Sequence, residues 1–181
     1  MKRASTESLI FEEWTSPWGV LKIGVYDDQL CMCDWQYRKM RGQIDFRISQ
    51  ALNTTMQLGK HPLIDQCKEQ LLAYEKGHLT SFDIPLLFAG TDFQKRVWKE
   101  LLNIPYGTTT TYMALSQKLE NTLAIRAVAA ANGANAISII VPCHRVIGSD
   151  GELTGYAGGL TAKKKLLSLE GAPVTKQQSL F

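Results

Sequence analysis

The sequence predicts an α+β chain of two domains, a small α/β domain followed by a mostly helical one. Three observations carry this. Residues 8–14, 18–26 and 29–36 are rich in Leu, Ile, Val, Phe, Tyr and Trp, and Ser16-Pro17-Trp18-Gly19 and Asp27-Asp28 separate them, which is the pattern of an antiparallel meander. Later segments repeat apolar residues at helical spacing instead. Pro85 and Gly90 break the pattern near residues 83–91, so the expected division is 1–88, then 89–171, then a polar tail over 172–181 that reads as disordered.

Composition narrows the class. With 181 residues, 45% hydrophobic and 20% charged, the chain is long enough for sizeable cores and is not a disordered polymer. The start, Met1 to Glu7, is polar with no apolar region after it, and no run of 18 apolar residues follows. The expectation is a cytoplasmic protein without a signal peptide or membrane span. Net charge is +3 but uneven: residues 1–90 carry −1 and residues 91–181 carry +4. A basic second half is compatible with a phosphate-backbone partner. Cysteines stand at 31, 33, 67 and 143, a spacing that is neither a zinc knuckle nor a disulfide framework. Cys31, Cys33 and Cys67 read as core residues.

After the meander, residues 38–60 are mixed, mostly helical or irregular. His61-Pro62 opens an amphipathic helix carrying Leu63, Cys67, Leu71 and Tyr74, and Gly77 closes it. Phe82 to Leu86 is an extended connection. Thr91-Asp92-Phe93-Gln94 is a capping box, with Thr91 as N-cap and Gln94 three residues on. The helix it starts runs through Val97, Trp98, Leu101 and Leu102 and ends at Ile104-Pro105-Tyr106-Gly107. Thr110-Thr111 begin a second helix with Met113, Leu115 and Leu119. Glu120-Asn121-Thr122 are a turn, and Leu123 to Asn132 form a third helix stopped by Gly133. Two short helices joined by a tight turn suggest a helix-turn-helix. The third helix is nearly all alanine, with Arg126 its single long cation. It lacks the Asn, Gln, Arg and Lys side chains of a major-groove reader, so DNA bound there would be met in the minor groove with little sequence preference. Further on, Ser149-Asp150-Gly151-Glu152 is a hairpin-type turn, Gly155 to Gly159 a glycine-rich loop, and Thr161 the expected cap of a last helix from Lys163 to Glu170, ended by Gly171.

The chemistry is expected at Ile139-Ile140-Val141-Pro142-Cys143-His144-Arg145-Val146-Ile147. Pro142 fixes its own φ and pushes Val141 into an extended conformation, presenting one thiol at the edge of apolar runs. His144 and Arg145 supply cationic neighbours that favour a thiolate. Neighbouring side chains of an extended segment face opposite ways, so a water bridge from thiol to imidazole is more natural than direct contact. A histidine base needs an acceptor on its other nitrogen, and Glu170 is the candidate.

Taken together, Pro142-Cys143-His144-Arg145-Val146-Ile147, Arg126-Ala127-Val128, Ala131-Asn132-Gly133, Asn135 and Gly155-Tyr156-Ala157-Gly158-Gly159 closely resemble the O6-alkylguanine-DNA alkyltransferases, also called methylated-DNA–protein-cysteine methyltransferases. Phe93-Gln94, Val97-Trp98 and Ile104 to Gly107 match as well. The likeness is dense over residues 91–171 and looser over 1–90, where Ser16 to Gly19 resembles the family's ribonuclease-H-like N-terminal domain. The resemblance implies a winged-helix-like second domain and a stoichiometric repair reaction without a cofactor, on double-stranded DNA holding O6-alkylguanine, by a monomer; whether O4-alkylthymine is also a substrate is left open by the sequence. It makes Cys143 the acceptor, activated through water by His144, which Glu170 orients. By the same resemblance Asn135 would bond the turn joining the DNA-binding helices to the active-site segment. Arg126 would enter the base stack in place of the flipped guanine. Tyr112 would help rotate the phosphate and donate toward guanine N3. Ala124, Ala127, Ala131 and Gly133 would join Arg126 and Tyr112 at the DNA, and Cys143, Val146, Tyr156, Ala157 and Gly158 would hold the base.

The chain departs from the family at Ala129, where Gly is usual, and at Ala136, where Pro is usual. Glu7, Tyr26 and Cys31 occupy the positions nearest the zinc ligands of the human-type N-terminal domain, so no zinc is expected. Two other readings compete. A non-catalytic alkylguanine sensor would lack the cysteine, and a Cys–His hydrolase would leave the helix-turn-helix idle.

Overall fold

The computed structural model describes residues 8–120 and 124–173 and divides into two compact units, Met1–Gly90 and Thr91–Phe181. In the first, β1 (Leu9–Ser16), β2 (Gly19–Tyr26) and β3 (Gln29–Trp35) form the expected antiparallel meander. Helix α1 (Arg41–Leu52) then crosses over to β4 (Met56–Leu58), which pairs parallel to β1 and gives the sheet order β3-β2-β1-β4. Sequence reading passed over β4, because three residues show no periodicity and a parallel partner needs a crossover that only the fold supplies. Helix α2 (Pro62–Glu75) starts as expected: Pro62 opens its first turn and His61 Nδ1 accepts the Leu63 N–H at 3.1 Å. Leu63, Cys67, Leu71 and Tyr74 are buried, with Leu21, Ile23, Met32, Cys31 and Cys33 among the core residues of this unit. The expectation that the three cysteines are core residues holds.

In the second unit, α3 (Asp92–Leu101) begins with the expected capping box: Thr91 Oγ1 accepts from the Gln94 N–H, and Gln94 Oε1 accepts from the Thr91 N–H. Val97, Trp98 and Leu101 are buried on its inner face. The Trp98 indole donates to the Ala131 carbonyl at 2.8 Å and so ties α3 to α5 (Ile125–Gly133). Between them, α4 (Tyr112–Lys118) is capped by Thr111, whose Oγ1 accepts the Ala114 N–H at 3.1 Å. Of the expected turn at Glu120-Asn121-Thr122, Asn121 and Thr122 lie outside the described residues, as does Leu123 at the expected start of the third helix.

Three local expectations are corrected. Gly133 is the last residue of α5 rather than its stop, and Ala134 caps the helix through its N–H to the Ala130, Ala131 and Asn132 carbonyls. The last helix, α6 (Gly159–Leu169), starts before Thr161, which lies exposed inside it; Gly159, at φ +84°, turns the chain into the helix without a side-chain cap. The expected extended approach to Cys143 is a series of turns instead. Ile139 sits at φ +71°, the Val141 N–H bonds the Ile137 carbonyl, and Cys143–Arg145 is one 3-10 turn before the short β6 (Val146–Ile147). β6 pairs parallel with β5 (Thr110–Thr111), which places the thiol turn beside the start of α4. Among the described residues, no helix is long and apolar enough to cross a membrane.

Candidate active site

Cys143 lines a cavity of about 410 Å³ together with Tyr112, Asn132, Asn135, Tyr156 and Ala157. The thiol is 3% exposed. Asn135, also buried, holds the turn around it. Its Nδ2 donates to the Val141 carbonyl at 3.0 Å and to Cys143 Sγ at 3.1 Å, while its Oδ1 accepts the Ile137 N–H at 2.9 Å. The expected tie between Asn135 and the turn is therefore present, with a direct donor to sulfur in addition.

The turn brings His144 inward rather than to an opposite face. Its Nε2 lies 2.8 Å from Glu170 Oε1, both groups fully buried. A carboxylate there keeps the imidazole proton on Nε2 and leaves Nδ1 as the basic nitrogen. Nδ1 is buried and has no hydrogen-bond partner among the described residues. Burial lowers the His144 pKa below its usual value; the Glu170 bond and charge oppose this, and the Arg145 and Lys163 charges add to it. The ring is accordingly neutral at pH 7.

Glu170 is the hub of this arrangement. Besides His144 it accepts a guanidinium fork from Arg145, Nε to Oε2 at 2.9 Å and Nη2 to Oε1 at 3.0 Å. It also accepts the Gly107 N–H at 3.1 Å. Arg145 Nη1 continues to the Ile104 carbonyl at 2.6 Å, and the Tyr106 hydroxyl donates to the Leu169 carbonyl at 3.3 Å. Ile104-Pro105-Tyr106-Gly107 is thus bolted to the end of α6. Gly107 is at φ +74°, and a Cβ there would stand 2.9 Å from the Glu170 carbonyl oxygen. Only glycine fits this approach.

Opposite the thiol turn, Lys163 is fully buried and donates to the Val146 carbonyl at 2.6 Å and the Thr154 carbonyl at 2.8 Å. Burial pushes its pKa down to about 8, and the nearby Cys143 opposes that shift. Tyr112, half-buried, has its pKa raised, first by burial, so it keeps its proton across the neutral range. Sequence reading took Arg145 only as a cationic neighbour and missed Gly107, Lys163, Asn132 and Thr154. For Lys163 a signal existed: it lies at helical spacing with the buried Leu166, Leu167 and Glu170, a cation on an inward face.

On α5, Arg126, Ala127, Ala130 and Gly133 are exposed along one face, and Ala124 is half-buried before the helix. Ala131 faces the other way. It is 3% exposed, because this side of α5 packs on α3, and it does not belong to the outward surface expected of it. Of the expected base-holding residues, Cys143, Tyr156 and Ala157 line the cavity. Val146 is buried with its carbonyl bonded to Lys163, and Gly158 is the residue that caps α6. Ala129, a departure from the family pattern, is half-buried on the cavity wall, and Ala136 is buried.

The second member of a helix pair therefore leads within ten residues to a buried thiol on a cavity wall. Residues 92–172 match the family model described as 6-O-methylguanine DNA methyltransferase, DNA binding domain. A methylated-DNA–protein-cysteine methyltransferase of Mycobacterium bovis is 53% identical over 113 residues, 62% of this chain and 68% of the relative. Its namesake from Methanosarcina barkeri is 56% identical over 105 residues, 58% of this chain and 66% of the relative. A crystal structure of Mycobacterium tuberculosis OGT in complex with DNA superposes with a TM-score of 0.75 at 40% identity, covering 91% of this chain and 95% of that one. The chain belongs to the methylated-DNA–protein-cysteine methyltransferase family.

Proposed function

We propose that the protein reverses alkylation damage directly, by transferring the alkyl group from O6 of guanine in double-stranded DNA to Cys143, once per molecule. The observation that carries this reading is the buried thiol on the wall of a base-sized cavity, with Asn135 Nδ2 at 3.1 Å from sulfur and the neutral His144 anchored to Glu170. Arg126 and the exposed alanines of α5 meet the minor groove, and Arg126 fills the space the damaged base leaves. The base enters the cavity beside Tyr112, Tyr156 and Ala157. His144 Nδ1 takes the thiol proton through a water, and the Asn135 amide donates to the thiolate that results. Sulfur then displaces the guanine from the alkyl carbon in line, and Tyr112 donates a proton to the departing base. The balance closes without a cofactor, and the thioether formed has no leaving group for water to displace. Cys143 requires a reducing compartment, and we assign the protein to the cytoplasm. A sensor that only binds alkylguanine has no use for an activated thiol at this position.

The test is intact-protein mass spectrometry after mixing with a duplex containing O6-methylguanine. The expected result is one added methyl mass, on the Cys143 peptide. DNA binding without added mass would replace the transferase reading with the sensor.

Two further outcomes are expected. Arg126→Ala slows repair in duplex DNA but leaves reaction with free O6-benzylguanine near normal, because Arg126 lies exposed on α5, outside the cavity lining. Single-turnover rates on the two substrates check this. The transfer rate is also expected to fall above about pH 8, where Lys163 loses its charge beside Cys143. Below that pH the cation favours the thiolate; above it the support is gone. Lys163→Met removes this alkaline limb and lowers the plateau about tenfold, the scale of one pKa unit of interaction. A rate–pH profile of both proteins checks the sign.

A further inference from the structure

The first unit carries a surface that neither its own core nor the thiol cavity explains. Tyr37, Met40 and Phe46 are 85%, 63% and 67% exposed, three large apolar side chains at and just before the start of α1. Gln43 and Gln50 are exposed with Phe46 along the outward side of the helix, while Ile44 and Ile48 turn inward. Met40 precedes the helix at φ +63°, a left-handed conformation that glycine or asparagine adopts at less cost. A long apolar side chain is thus held in water on a strained residue, the kind of feature that marks a working surface.

Cations are set into the same segment. Arg38 Nη1 and Arg41 Nη1 donate to the buried Asp34 at 2.8 and 2.7 Å. Arg41 Nε and Lys22 Nζ donate to Asp45 at 2.9 and 2.8 Å. Two carboxylates therefore fix three cations, and Lys39, in the same segment, is exposed. Residues 34–47 hold Arg38, Lys39, Arg41 and Arg47 against Asp34 and Asp45, a balance of +2, whereas residues 1–90 together carry −1. The rest of those ninety residues carries −3, so positive charge is concentrated where the apolar side chains stand out. Charges held this close to the interior are screened less by salt than free surface charges.

We infer that this face of the first unit binds single-stranded nucleic acid, with unstacked bases on Tyr37 and Phe46 and phosphates drawn to Lys39 and the fixed arginines. Exposed rings among cations are what a single strand needs: every base has a face to stack, and every linkage carries a negative charge. A duplex keeps its base faces in the stack and would leave the two rings without a use. A lipid surface would bury Gln43 and Gln50 away from hydrogen-bond partners, at a cost that nucleotide edges and phosphates do not impose. A second copy presenting the same face would bring like charges together. None of these residues lines the thiol cavity, so the site is separate from the one that receives the damaged base. Stacking and charge do not read sequence, and little base preference is expected.

Anisotropy of a short fluorescent oligothymidylate, titrated with the full chain carrying Arg126→Ala to weaken binding through α5, tests the inference. Melting temperature is followed in parallel, and single-turnover methyl transfer from duplex O6-methylguanine is followed with Arg126 intact. Tyr37→Ala and Phe46→Ala are each expected to weaken oligothymidylate binding about tenfold, the scale of one stacked base. Lys39→Ala is expected to lower the slope of log affinity against log salt by about 0.7, one phosphate of a single strand. All three substitutions fall on exposed side chains, so melting temperature and methyl transfer should stay as they are. Unchanged oligothymidylate affinity in all three variants would overturn the site. With that affinity unchanged, loss of binding to phosphatidylserine vesicles would put a lipid surface in its place, and loss of a concentration-dependent dimer would put a second copy there. Methyl transfer slowed as much as single-strand binding would also overturn it, since the face would then serve the repair site.

Discussion

Cys143→Ala is expected to abolish methyl transfer completely while retaining binding to the same duplex. The side chain removed is small and 3% exposed, so truncation to alanine leaves a cavity of a single sulfur and costs little stability. Asn135 keeps its bonds to the Val141 and Ile137 carbonyls and its Oδ1 bond from the Ile137 N–H, so the turn persists. Arg126 and the exposed face of α5 are untouched. The variant should therefore trap the DNA complex: no mass gain at any time, and an affinity for O6-methylguanine duplex within about threefold of the parent, well under the tenfold that corresponds to about 1.4 kcal/mol. Mass spectrometry and a binding titration on the same samples decide it. Residual transfer would mean that another thiol is the acceptor, and Cys31, Cys33 and Cys67, all buried in the first unit, would be mapped by peptide.

Arg145→Met is expected to have the largest effect on stability, about 3–5 kcal/mol, the usual consequence of breaking a buried ion pair by removing one partner. Arg145 and Glu170 side chains are 8% and 0% exposed. Without the guanidinium fork, Glu170 keeps His144 and the Gly107 N–H but loses its paired cation, and the Ile104 carbonyl loses the Arg145 donor. Denaturant unfolding measures the loss. Glu170→Gln in the same chain should recover part of it, because the uncompensated charge goes as well. The kinetic consequence has a definite sign. The Arg145 charge lowers the His144 pKa, so its removal raises it. More of the imidazole is then protonated near neutrality and unable to take the thiol proton, and the acid limb of the transfer profile moves to higher pH. A profile that stays in place would mean that Arg145 serves the packing of Ile104 to Gly107 on α6 without biasing the base.

These two residues also mark how much of the site can be read along the chain. That Cys143 carries the chemistry follows from local features: a thiol between apolar runs, after a proline and before two cationic side chains. The capping box at Thr91, the proline start of α2 and the paired helices of residues 112–133 follow from signals within three or four residues, the range over which backbone propensity and caps act. The individual roles at Tyr112, Arg126, Asn135 and Ala157 came through family resemblance rather than from spacing.

What only tertiary structure decided lies at longer range. Glu170 meets His144 from 26 residues away and Gly107 from 63, and no local pattern records that convergence. The same holds for Lys163, whose charge is tolerated in the interior only because the carbonyls of Val146 and Thr154 arrive to accept its hydrogens. Strand β4 exists because β1 offers an edge, and Ala131 faces inward because Trp98 seeks its carbonyl. The approach to Cys143 shows the difference most directly. Branched residues and a proline argue for extended chain, yet Ile139 takes a left-handed turn and Cys143–Arg145 coil into one 3-10 turn. The buried Asn135, satisfying three backbone groups and the thiol at once, outweighs what those side chains prefer alone. The sequence by itself determined the nucleophile and the helices that frame it; the turn, the carboxylate hub and the buried cations were decided by the fold, because each needs partners that only packing brings within hydrogen-bond distance.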